Sequence, residues 1–168
     1  MKASVLYGLV SGLLVTAFIV GIYLNEPLNL LTGVEKFSWI FIFIGMLIGT
    51  WRERSMRPEP FINFQEALKT AFQIFVMAYL IKFLVIYIIF NYAHPALLDS
   101  ARDIAVKIFI EHRNQEIPQE IFDQQLESYR KGYFGPRIFD IGVMLEIIIG
   151  FGIALVTAIV FIREKPDF

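Results

Sequence analysis

The sequence predicts an all-α membrane protein: a four-helix transmembrane bundle with two short amphipathic helices in the loop between helices 3 and 4. Three observations lead there. Hydrophobic residues make up 57% of the 168 and the mean hydropathy is +0.60, above the roughly half apolar content of soluble domains. Four apolar runs, at residues 4–24, 34–51, 68–91 and 139–162, approach or exceed the about 20 residues a helix needs to cross hydrocarbon. The one long connection, residues 93–137, carries helix-period apolar stripes but is too small to bury a core of its own. Residues 1–168 therefore read as a single integral membrane domain.

The first span, Ser4 to Leu24, contains no charge, and its exit lacks the small-residue cleavage pattern of a signal peptide, so it is expected to stay as an anchor. Ser4, Gly8, Gly12 and Thr16 recur every fourth residue and share one stripe, with Gly8 and Gly12 as a close-contact face for a neighbouring helix or a second copy. Asn25, Glu26 and Pro27 end the helix, since proline lacks an amide and disfavours helix in the residue before it. Thr32 to Glu35 has the spacing of a capping box opening the second span. That span is short, so Trp39, Trp51 and the stems of Lys36 and Arg52 are expected to complete it at the interfaces. Gly45 and Gly49 repeat the packing spacing.

The stretch Trp51 to Pro60, WRERSMRPEP, reads as a polar hinge whose Arg52, Arg54 and Arg57 are the strongest orientation signal in the chain. With this topogenic cluster in the cytoplasm, both termini are expected on the cytoplasmic side of the membrane, and the 93–137 loop on the other side. Asn63 to Glu66 forms a second capping signature that starts helix 3, whose first turns are polar enough to lie at the membrane surface. From Thr70 to Phe90 the helix is apolar apart from Gln73 and Lys82, and it stops at His94-Pro95.

In the long loop, Leu97, Ala101, Ile104, Ala105 and Ile108 form one stripe; Phe122, Leu126, Tyr129 and Tyr133 form another that ends near Gly132. Asn114 to Ile117 separates them, and Pro118 suits a first helical position. Two such helices are expected to rest on the bundle mouth or the outer leaflet. On the last span Gly142, Glu146, Gly150 and Ala154 share a stripe, so Glu146 points along a face shaped for helix contact. Lys82 lies eight residues before Phe90 and Glu146 eight residues after Ile138, which puts both roughly 12 Å from the same membrane face. A charge near the bilayer centre costs on the order of 2.5–3.5 kcal/mol, so the two are expected to pair.

Several chemistries are disfavoured. A net charge of -1 without a basic tract argues against nucleic acid. The absence of cysteine removes disulfides, thiolate metal sites and cysteine nucleophiles. His94 and His112 have no closely spaced ligand set, and no phosphate-binding, dinucleotide or hydrolase motif occurs, so neither metal, cofactor nor enzymatic activity is expected.

Four stretches carry a family resemblance: GTWRERSMRPEPFINFQEALKTAFQI into the third span, NYAHPALL at its exit, IPQEIFDQQLESYRKG before the fourth, and the glycine-bearing span ending FIREKP. They resemble small bacterial four-span inner-membrane proteins classified as a domain of unknown function. The resemblance covers nearly the whole chain. It implies a four-helix inner-membrane protein and supplies no functional residues. The expected function is that of a non-enzymatic accessory or scaffold protein, surrounded by membrane lipids and binding another membrane protein or itself through its glycine faces and the long-loop helices. The alternative is a small transporter or ion-coupled permease built on a Lys82/Glu146 pair.

Overall fold

A computed structural model describes residues 2–58, 61–112, 118–132 and 141–162. Its helices are α1 (Ala3–Asn25), α2 (Trp39–Ser55), α3 (Phe64–Ile88), α4 (Ala96–Glu111), α5 (Gln119–Lys131) and α6 (Ile141–Phe161). The described residues contain four segments long and apolar enough to span a membrane: Ala3–Asn25, Val34–Ser55, Phe64–Ala93 and Gly142–Phe161. The protein is an all-α integral membrane protein. Two compact units divide it, one made of Met1–Val85 with Arg137–Phe168, the other of Ile86–Pro136.

In the first unit, α1 ends at Asn25, and Pro27 opens a 3-10 turn, Pro27–Leu31, where its missing amide is harmless. The capping box expected at Thr32 to Glu35 does not form. Gly33 adopts φ +84°, a left-handed conformation that reverses the chain after Thr32. The Thr32 hydroxyl therefore donates backward, to the Asn29 carbonyl at 2.8 Å, and the next segment, Val34–Ser38, is a 3-10 turn. Glu35 is released from capping.

α2 continues past Trp51 through Arg52 and Arg54 to Ser55, so the hinge expected from Trp51 begins five residues later, at Met56. Arginine and glutamate are good helix formers, and nothing in WRERS breaks the ladder. Asn63 does cap α3: its side-chain oxygen accepts from the Glu66 amide at 2.9 Å, and the Asn63 amide donates to the Glu66 carboxylate at 3.4 Å. The far end of α3 widens into a π turn, Ile89–Ala93, where the His94 amide donates to the Ile89 carbonyl at 2.8 Å.

Glycines set the closeness of the spans. Gly8 and Gly12 of α1 lie against Met77 and Ile81 of α3; Gly45 and Gly49 of α2 lie against Ser11 and Tyr7 of α1 and Ile74 of α3; Gly150 of α6 lies against the Phe75 ring. α3 thus touches all three other spans, and its Ala67, Ala71, Ile74, Phe75 and Ala78 are buried. The outer faces carry exposed Leu13, Ile40, Leu80, Leu84, Ile148 and Val156, as lipid-facing surfaces do when no water must be excluded.

In the second unit, α4 and α5 pack through aromatic rings, with Phe109 stacked on Phe122 at 5.1 Å and on Tyr129 at 4.7 Å between centroids. The stripe expected on α4 divides. Leu97 is buried and Ala101 and Ala105 are half-buried, whereas Ile104 and Ile108 are exposed. The contact face is rotated toward Phe109, because a stacked ring buries more apolar area than either isoleucine. Pro118 sits one position earlier than expected, as the N-cap of α5, and Gly132 follows its end. The separator at Asn114 to Ile117, together with Tyr133, lies outside the described residues.

Candidate functional site

The charged cluster of the first unit is assembled by three spans. α3 contributes Lys82 and Tyr79 at i and i−3, which places them on one face. α6 contributes Glu146, and the start of the second span contributes Glu35 and Trp39. The Lys82 ammonium lies 3.2 Å from the Glu146 carboxylate. It also lies over the rings of Trp39, at 5.7 Å, and Tyr79, at 5.8 Å, within cation–π range. Lys82 is 3% exposed, while the Glu146 side chain retains 29%. The lysine is the enclosed member and the glutamate the more exposed one.

Sequence reasoning missed three participants. Trp39 stacks on Phe75 with centroids 5.7 Å apart and faces the ammonium. Tyr79 faces the same ammonium with its ring, and it stacks on Phe75 with centroids 5.4 Å apart. Glu35 lies in the electrostatic field of Lys82, Lys36 and Glu146, and its Oε2 is buried with no hydrogen-bond partner among the described residues. The one signal available was the weak length of the second span, which left open where its first turn points.

An open groove reaches the cluster along α6, lined by Lys36, Trp39, Gly142, Leu145, Glu146 and Ile149. Gly142 borders it and is exposed among the described residues, while Gly150 and Ala154 further along are buried.

The arginine cluster is distributed among structural contacts. Arg57 pairs with Glu66 at 2.7 Å. Arg54 donates to the Phe161 carbonyl at 3.4 Å and covers its ring at 5.9 Å, whereas Arg52 is exposed. Lys2, Glu53, Arg57, Glu66 and Lys69 line one polar pocket. The start of α1, the end of α2 and the start of α3 therefore share one end of the bundle, and Arg54 brings the end of α6 there too.

A family model described as "Protein of unknown function (DUF4199)" matches residues 4–163, which include all four spans and the long loop. The chain belongs to this family. No curated protein and no solved structure matches it. Membership in DUF4199 brings no reaction with it. What the cluster itself can do chemically is hold a positive charge within the bundle and fix the register of α3 against α6 through an ion pair that has few alternative partners.

Proposed function

We propose that this DUF4199 protein is a non-enzymatic accessory protein of the bacterial inner membrane, with both termini cytoplasmic, that binds a partner through its α4–α5 hairpin. One observation supports the reading above others: Ile104 and Ile108, one turn apart on α4, are exposed outside any span. Exposed apolar residues on the spans are accounted for by lipid, but on an extramembrane helix they mark a binding surface. Of the two surfaces expected to serve a partner, the glycine faces at Gly8, Gly12, Gly45, Gly49 and Gly150 are occupied by Met77, Ile81, Ser11, Tyr7, Ile74 and Phe75 of the same chain, which leaves the long-loop helices as the candidate interface.

The test is photocrosslinking in native membranes from an unnatural residue at Ile108, with lipid-facing Leu84 as control. A discrete protein adduct from position 108, absent from position 84 and lost in Ile104→Glu, is expected. Lipid adducts alone would mean that α4 rests on the membrane and has no partner there. A second reading, a small ion-coupled permease using Lys82 and Glu146, is favoured by the groove that opens onto Glu146; proteoliposomes lacking any Glu146-dependent ion flux would remove it.

A further inference from the structure

The polar pocket that gathers the start of α1, the end of α2 and the start of α3 carries a chemistry of its own, in a volume of about 210 Å³. Two of its charged residues are committed to each other, Arg57 and Glu66 at 2.7 Å. Lys2, Lys69 and the half-buried Glu53 also line it, and none of the three makes an ion pair or hydrogen bond with another described residue. Opposite charges thus face one space without closing on each other. Two hydroxyl residues beside them are more enclosed: Ser4, 3% exposed, and Thr70, 7% exposed. Thr16 and Thr157 turn their hydroxyls back to a carbonyl one turn earlier, each at 2.9 Å, but neither Thr70 nor Ser4 bonds to any described residue. Enclosed hydroxyls are normally satisfied, so these two call for a ligand in the pocket they line. The start of α1 has no side-chain cap, and its first amides add partial positive charge on the Ser4 side.

We propose that this pocket binds the headgroup of a phosphoethanolamine lipid, its phosphate toward Lys2, Lys69, Ser4 and Thr70 and its primary ammonium donating to Glu53. The groups sort by charge. Two ammoniums, two hydroxyls and a helix start suit a phosphate, while the free carboxylate suits a cation. A zwitterion with both charges a few atoms apart satisfies them together; a plain anion would leave Glu53 facing like charge. Position identifies the source as lipid, because the pocket residues stand at the ends of three segments able to span a membrane, Ala3–Asn25, Val34–Ser55 and Phe64–Ala93, and pockets with basic side chains between spans at that level take lipid headgroups. The site does not depend on whether the protein is an adaptor or a permease.

The measurement is native mass spectrometry of the full-length protein, released from micelles doped in turn with phosphatidylethanolamine, phosphatidylcholine and phosphatidylglycerol of identical acyl chains. The ethanolamine lipid is expected to bind about tenfold more tightly than the other two, because choline has no N–H to offer Glu53 and the glycerol headgroup brings no cation. Glu53→Gln removes this preference without weakening the glycerol lipid. Thr70→Val, which keeps the shape and loses the hydroxyl, weakens all three through their common phosphate. Glu26→Gln, at the far end of α1, changes neither. Equal binding of the three lipids by the unmodified protein overturns the proposal, whether or not the variants fold. So does a preference that persists in Glu53→Gln, by placing headgroup selection elsewhere. Displacement of the ethanolamine lipid by an equal concentration of free phosphoethanolamine would likewise overturn it, by making a soluble phosphoester the occupant.

Discussion

Lys82 is the residue whose environment constrains the protein most. Buried to 3% exposure, it cannot snorkel, and its stability rests on Glu146 and the two rings below it. Removing one member of a buried pair typically costs about 3–5 kcal/mol, whereas replacing both with apolar residues is often neutral. Glu146→Leu is therefore expected to destabilise the protein by about 3 kcal/mol, near the low end because the Glu146 side chain is itself 29% exposed. The double replacement Lys82→Met with Glu146→Leu should recover most of that loss in a denaturant or thermal unfolding series. Strictly additive losses would show that the two side chains do not stabilise one another. The pair was legible in the sequence because helix rise converts residue spacing into depth. Glu35 was not, since its role depends on the positive φ of Gly33, which diverts Thr32 from capping; a Thr-x-x-Glu spacing looks the same whether or not the turn permits it.

At the level of the helices, spacing alone told which glycines share a face but not which would be covered. Gly8 and Gly152 illustrate the difference: a Cβ on Gly8 would fall 2.8 Å from the Cβ of Met77, while one on Gly152 meets nothing within 4 Å. Because Met77 Cβ is anchored to its own backbone, α1 and α3 would have to separate. Overpacking of this kind costs about 1–3 kcal/mol. Gly8→Ala should lower the unfolding midpoint accordingly, while Gly152→Ala should raise it through the better helix propensity of alanine, worth up to about 1 kcal/mol. Equal responses at the two sites would contradict the packing of α1 on α3. Span boundaries were legible to within a few residues wherever proline or a capping pair marked them, as at Pro27 and Asn63. They failed where no residue type did: α2 runs on to Ser55 because its arginines and glutamate are as acceptable to a helix as to a hinge. The division of the α4 stripe escaped for a related reason, since periodicity gives a face about 100° wide and only the partner ring decides which edge of it is buried.

For the molecule as a whole, the alternation of the spans fixes what shares a side, and charge then proposes which side that is. Arg54 reaching Phe161, and Arg57 reaching Glu66, hold the last turn of α2 beside the end of α6 and the start of α3. Basic residues within about 15–20 positions of a span end favour the cytoplasm, so this end is expected inside, and the short turn after α1 is expected outside with the α4–α5 hairpin. The chain contains no cysteine, so single cysteines report location without a background to remove. Glu26→Cys and Glu120→Cys, both at exposed positions, should react with an impermeant maleimide in intact spheroplasts. Ser55→Cys, also exposed, should react only after the membrane is opened. The reverse pattern would invert the orientation while leaving the bundle intact. Labelling of Glu26→Cys and Glu120→Cys from opposite sides would be more serious, because it cannot be reconciled with four alternating spans.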